Sequence, residues 1–144
     1  MTALGSDHAG FELKYKIIEY LKDMDIVFRD FGSFENEPND YPIYARTVCE
    51  AILGGRCENG ILICTTGIGI SIAANRFKGI RAALCHDELT AAAARSHNDA
   101  NILVMGARVV GAEMGLTIVK TFFDTKFSYV ERHIRRIAML DELC

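Results

Sequence analysis

The sequence predicts an α/β fold in which βα units build a parallel sheet. Short apolar runs alternate with longer amphipathic ones over 144 residues, and Gly, Asn or Asp sits at each junction. Half of the residues are apolar and about a quarter are charged, at a length usual for one domain, so residues 1–144 are expected to form a single domain with a real core.

Strands are expected at 2–5, 26–30, 60–64, 80–85 and 101–105, each short enough to be fully buried. The first helix begins near Gly10, turning Phe11, Leu13, Ile17, Ile18 and Leu21 inward and Lys14, Lys16, Glu19 and Lys22 outward. Pro42 suits the opening of a second helix, where its fixed φ fits and its missing N–H is harmless, and Gly54-Gly55 ends that helix. A third helix covers 69–75. Asp87 is placed to cap a fourth that runs through the alanines at 91–94. A fifth spans 112–123, and the stripe Val130, Ile134, Ile137 and Leu140 marks a last helix at about 129–143.

Composition excludes several classes of function. Sixteen Lys plus Arg against nineteen Asp plus Glu give a net charge of −3 with no basic run, which makes nucleic acid a poor partner. The first residues lack a basic stretch followed by an apolar one, and no segment stays apolar for about 18 residues, so a soluble, unexported protein is expected. Cys49, Cys57, Cys64, Cys85 and Cys144 form no C-x-x-C pair and no disulfide or zinc spacing, which fits a reducing cytoplasm and no bound metal.

The chemistry gathers where strands end. After the third strand comes Thr65-Thr66-Gly67-Ile68-Gly69-Ile70-Ser71 and then a helix, so backbone N–H groups converge as they do around an anion. Three known loops fail on spacing. Ile72 replaces the third glycine of a dinucleotide loop, no lysine follows either glycine as a Walker loop requires, and Ile70 stands where a phosphatase loop needs arginine. Cys64, between an apolar strand and a helix N-terminus, is placed for a reactive thiol, whereas Cys49, Cys57 and Cys85 are expected to be small buried hydrophobes. Asp7 and His8 follow the first strand and would share an edge with Cys64 if the two strands are neighbours, with Tyr41 in the same layer.

His97 and Asn98 close the fourth helix; a histidine there is equally a partner for the helix dipole. Arg132 and Arg136, one turn apart, project from one face and could grip a phosphate or simply be solvated. His86 and His133 are read as structural.

Taken together, GSDHAGFELK, NDYPIYA, GILICTTGIGISIAANRFKGIRAALC, SHNDANILVMGARVVG and RHIRRI resemble the ribose-5-phosphate isomerase B family, which also holds allose- and galactose-6-phosphate isomerases. The resemblance covers nearly the whole chain. It implies a three-layer α/β/α Rossmann-like domain with a five-stranded parallel sheet, assembled as a homodimer or as a tetramer of such pairs, with sites at the subunit interface. It also implies interconversion of ribose and ribulose 5-phosphates, a step of the pentose phosphate pathway, with no cofactor.

By the same resemblance Cys64 is the proton-shuttling base, and Ile70 stands where another branch of the family carries a glutamate. Thr66 and the N–H groups from Gly67 through Gly69 to Ser71 would hold the enediolate oxygen, and Asp7 would orient sugar hydroxyls. His97 would open the furanose ring with Tyr41 nearby, and Asn98 would bind sugar oxygens. His8, Arg132 and Arg136 would grip the phosphate, with Arg108 reaching across the dimer. The departure is Thr65, where the family's loop has glycine; a left-handed backbone there would strain a β-branched residue.

Overall fold

The computed structural model describes residues 1–35 and 38–143, so Cys144 lies outside the described residues. Its elements are β1 (Thr2–Ser6), a 3₁₀ turn (His8–Gly10), α1 (Phe11–Asp23), β2 (Phe28–Asp30), α2 (Tyr41–Leu53) and β3 (Asn59–Cys64). They continue with α3 (Ile68–Ala74), β4 (Ala82–Leu84), α4 (Glu88–Ser96), β5 (Ile102–Gly106), α5 (Ala112–Asp124) and α6 (Glu131–Asp141). The five strands form one parallel sheet in the order β2-β1-β3-β5-β4. The chain steps one way from β1 to β2 and the other way from β3 onward. The topological switch therefore lies between β1 and β3, where the carboxyl ends of parallel strands open a crevice.

Strand alternation divides the core. Leu4, Ile61, Ile63, Leu103 and Met105 face Leu13, Ile17, Leu21, Ile118 and Phe122 of α1 and α5. Ala3, Leu62, Cys64 and Val104 face Val48, Cys49, Ile70 and Ala74 of α2 and α3. Each buried Leu, Ile, Val, Met or Phe among them contributes about 1.5–3 kcal/mol. Central strands β1 and β5 are buried throughout, and β3 everywhere but Asn59. The edge strands β2 and β4 are three residues long and only half-buried, contrary to the expectation of full burial, because each has a neighbour on one side alone.

Local signals act as their chemistry dictates. Asp87 caps α4 by accepting the Thr90 N–H at 2.7 Å, and Pro42 lies in the first turn of α2. Lys14 corrects the reading of α1: it is fully buried, not outward. Its Nζ donates to both Asp30 carboxylate oxygens at 2.8 Å and to the Ser33 carbonyl at 2.6 Å, with the rings of Phe11, Tyr15 and Phe34 around it. Burial pulls its pKa down, and Asp30 pulls it back up. The cause is periodicity: position 14 lies three and four residues before Ile17 and Ile18, on the buried stripe.

Candidate active site

The crevice at the switch point is built from the ends of β1 and β3. Asp7, 5 % exposed, caps the 3₁₀ turn by accepting the Gly10 N–H at 3.0 Å. Gly10 lets that turn sit directly on β3, since a Cβ there would meet the Ile63 carbonyl oxygen at 2.8 Å. His8 is held from the loop before α2. Its N–H donates to Asn39 Oδ1 at 3.1 Å, and the Asn39 N–H donates to His8 Nδ1 at 3.3 Å. With Nδ1 accepting, the neutral ring carries its proton on Nε2. Asn39 Nδ2 in turn donates to Ser33 Oγ at 2.8 Å, and the Ser33 carbonyl is the group that buried Lys14 holds. A chain of contacts thus joins Lys14 to His8. Sequence reasoning missed Asn39 and Ser33; the one hint was that Asn39 stands inside the NDYPIYA segment.

Cys64 ends β3, 4 % exposed, and its sulfur accepts the Gly67 N–H at 3.1 Å. That contact needs the turn that follows. Gly67 has φ +78°, and a Cβ on it would come within 2.4 Å of Leu84 and 2.9 Å of the Met105 backbone, so glycine is required by both strain and space. The strain anticipated at Thr65 is absent. Among the described residues the non-glycine positions with positive φ are Asp25, Asp99 and Tyr129, and the left-handed step falls two residues later, on Gly67. Backbone bonds tie the turn to the end of β5: Ala107 N–H to Cys64 O at 2.8 Å and Arg108 N–H to Thr65 O at 3.1 Å. Thr66 crosses directly above Gly106, where a Cβ would lie 2.5 Å from the Thr66 carbonyl.

The amides of the turn are fewer than the sequence suggested. Gly67 serves the Cys64 sulfur, Ile68 N–H goes to Thr66 Oγ1 at 3.2 Å, and Ser71 N–H goes to the Gly67 carbonyl at 3.1 Å. The Ser71 hydroxyl turns back to Ile68 O at 2.8 Å. Gly69 and Ile70 are left, first-turn donors that an α-helix cannot satisfy internally. The Tyr41 ring covers this spot so closely that a Cβ on Gly69 would meet its Cζ at 2.5 Å. Beside the turn lies a cavity of about 560 Å³ lined by His8, Glu12, Lys16, Thr65, Arg108 and, at the N-terminus of α5, Ala112. Arg108, expected to reach across a dimer, here shares a cavity with His8 of its own chain.

The other expected residues lie elsewhere. α4 runs from the carboxyl end of β4 back to the start of β5, so His97, its C-cap, and Asn98 are at the amino edge of the sheet. The Asn98 carbonyl accepts from Arg81, which directly precedes β4. α6 lies along that same edge: the His133 ring packs on His97 with centroids 4.5 Å apart, and Asp141 pairs with Arg81 at 3.6 Å. Arg132 and Arg136 are exposed and close enough to His133 to act on its charge. Cys64 stands four residues beyond Gly60 along β3, about 13 Å at 3.3 Å per residue. The expected grip of His8 with Arg132 and Arg136 is therefore not assembled within one chain. His133, read as structural from the sequence, is buried against His97, and its pKa is lowered by burial and then by His97, Arg132 and Arg136.

The remaining described cysteines are buried as expected. Burial pushes the Cys49 thiol up to about 12 and the Cys85 thiol up to about 11, which leaves both inert at neutral pH. No helix among the described residues is long and apolar enough to cross a membrane.

A parallel sheet whose switch point holds both a thiol and an open, cation-lined cavity has the layout of an α/β enzyme acting on a small anionic substrate. The chain belongs to the Ribose/Galactose Isomerase family, whose model matches residues 2–140. It is 44 % identical over 135 residues to ribose-5-phosphate isomerase B of Escherichia coli, covering 94 % of this chain and 90 % of that one. A ribose 5-phosphate isomerase structure from Thermotoga maritima superposes with a TM-score of 0.95 at 51 % identity, covering 98 % of this chain and 97 % of the other. D-erythrulose-4-phosphate isomerase of Pectobacterium atrosepticum is 40 % identical over 126 residues, covering 87 % and 83 %.

Proposed function

We propose that the protein interconverts ribose 5-phosphate and ribulose 5-phosphate through an enediolate, as a cytoplasmic homodimer whose sites each draw on two chains. The observation that carries this is Cys64 at the switch point, its sulfur fixed by the Gly67 N–H beside the cavity of His8, Thr65 and Arg108. The likeness to ribose-5-phosphate isomerase B supports the pentose as substrate.

The chemistry follows from these groups. The phosphate sits in the cavity with Arg108, and His8 offers it the Nε2–H that Asn39 preserves. The furanose opens when the anomeric hydroxyl gives up its proton, its electrons form the C1 carbonyl, the bond from C1 to the ring oxygen breaks, and that oxygen is protonated. His97 of the second chain moves those protons, and Asn98 holds sugar oxygens. Cys64 as thiolate then removes the C2 proton. The enediolate oxygen is met by the Gly69 and Ile70 amides and by the Thr66 hydroxyl, and Asp7 orients the sugar hydroxyls. The proton of the C2 hydroxyl passes to the C1 oxygen as the C2 carbonyl forms, and Cys64 returns its proton to C1, so both proton movements balance without a cofactor. Arg132 and Arg136 on α6 of the second chain complete the phosphate grip, since neither lies with His8 in its own chain.

Cys64→Ala should lower turnover about a thousandfold or more while leaving binding of a phosphate-bearing inhibitor nearly intact. Substantial residual isomerase activity would remove Cys64 as the base. Because one relative is named for a four-carbon sugar phosphate, kcat/KM should be compared for ribose 5-phosphate, erythrulose 4-phosphate, allose 6-phosphate and galactose 6-phosphate. The pentose should lead, and a faster hexose or tetrose would reassign the substrate.

A further inference from the structure

His97 stands exposed at the end of α4, and among the described residues the contact its imidazole makes is with the ring of His133. The two centroids are 4.5 Å apart with planes tilted by 38°. His133 is fixed from behind. It is 6 % exposed, and its Nδ1 lies 2.7 Å from Ser128 Oγ. Ser128 is anchored twice, by its N–H to the carbonyl of Ser96 at 3.0 Å and by the Val130 N–H to its hydroxyl oxygen at 3.2 Å. Ser96 immediately precedes His97, so one short loop ties the backbone beside His97 to the ring that packs on it.

We propose that His133 is a positioning residue for His97, supplying the fixed ring face against which the His97 imidazole is held for opening of the cyclic sugar phosphate. This rests on the reading of His97 as the ring-opening group. A group that exchanges protons with a hemiacetal must be aimed to within a few tenths of an ångström, and a solvent-exposed histidine with no hydrogen bond to its ring is otherwise free to change rotamer. A neutral imidazole face also accepts His97 in either protonation state, by stacking when it is neutral and as a cation over a π surface when it is charged. Burial, and after it His97, Arg132 and Arg136, lower the pKa of His133 and so favour its neutral form.

Two variants separate the ring from the hydrogen bond. His133→Phe keeps the aromatic face and loses the bond to Ser128, whereas His133→Asn keeps a polar group for Ser128 and loses the face. Turnover is measured with ribose 5-phosphate, which is largely cyclic, and with ribulose 5-phosphate, which is open-chain. His133→Asn should lose about tenfold in kcat with ribose 5-phosphate and less than about twofold with ribulose 5-phosphate, and His133→Phe should stay within about threefold of the parent on both. The reverse order, with Asn active and Phe impaired, or equal losses on the two substrates, would overturn the proposal and make His133 a structural or phosphate-binding residue. A His97→Asn control isolates the underlying reading: if it impairs both substrates equally, ring opening does not belong to His97, whatever the His133 variants do.

Discussion

Separation of the expected residues onto two sheet edges makes a quantitative prediction about mixed subunits. Suppose Cys64 and His97 meet only across a two-fold interface. A dimer of one Cys64→Ala chain and one His97→Asn chain then has one site with both lesions and one with neither. Random exchange of equal amounts makes half of all dimers mixed, and each has one intact site of two, so about a quarter of the unmutated activity should return. The distances decide the alternative. Cys64 is at the carboxyl end of β3, and His97 lies beyond the amino end, past about 13 Å of strand, too far for one sugar phosphate to be handled by both within one chain. The assay mixes the two purified variants under mild dissociating conditions, restores native buffer and follows ribulose 5-phosphate formation, with each variant alone treated likewise. Recovery no greater than the sum of the separate variants, in a sample shown by tagged pull-down to contain mixed dimers, would refute the two-chain site.

Further predictions concern the supporting structure. Lys14→Met should cost about 3 kcal/mol by leaving Asp30, 16 % exposed, without its cation, lowering Tm by roughly 10 °C. It should also raise KM through Ser33, Asn39 and His8, and a parental Tm and KM would show that the buried ion pair is dispensable. Gly106→Ala drives a methyl into the Thr66 carbonyl and should cost about 1–3 kcal/mol and most of the activity; full activity would show that the turn tolerates displacement. Cys49 and Cys85 remain protonated when folded after unfolded thiols, at 9.0, have ionised. Raised pKa values give stability that is intact below pH 9 and lost above it, at up to about 1.4 kcal/mol per pH unit for each thiol. Urea denaturation from pH 8 to 10.5 should show that decline, and the double variant Cys49→Ala, Cys85→Ala should flatten it.

What could be read from the sequence was what depends on neighbours along the chain. Period and punctuation place the central strands, the start of α2 at Pro42 and the Asp87 cap of α4, because those effects are local. The charge of Lys14 argues for the surface while its spacing to Ile17, Ile18 and Leu21 puts it on the buried stripe, and in the fold its pairing with Asp30 lets periodicity prevail over charge. The Thr65 concern failed because which residue of a tight turn takes positive φ is set by what it passes, here Leu84 and Met105. The Asn39 clasp on His8 spans 31 residues, and the meeting of His97 with His133 depends on α6 docking along the amino edge. No local pattern encodes either. The resemblance named the residues, and the topology sorted them by edge.

The ring of Tyr41 lying on Gly69 also gives the molecule a built-in optical reporter. The chain has five tyrosines and no tryptophan, so tyrosine emission is not drained by transfer to indole and can be followed directly. Tyr41 sits over the turn whose Gly69 and Ile70 amides are proposed to meet the enediolate oxygen, and it is 37 % exposed. An anion bound at that turn should change the polarity and quenching around the phenol. Occupancy of the site can thus be titrated by fluorescence in a variant that lacks Cys64, where no turnover consumes the ligand.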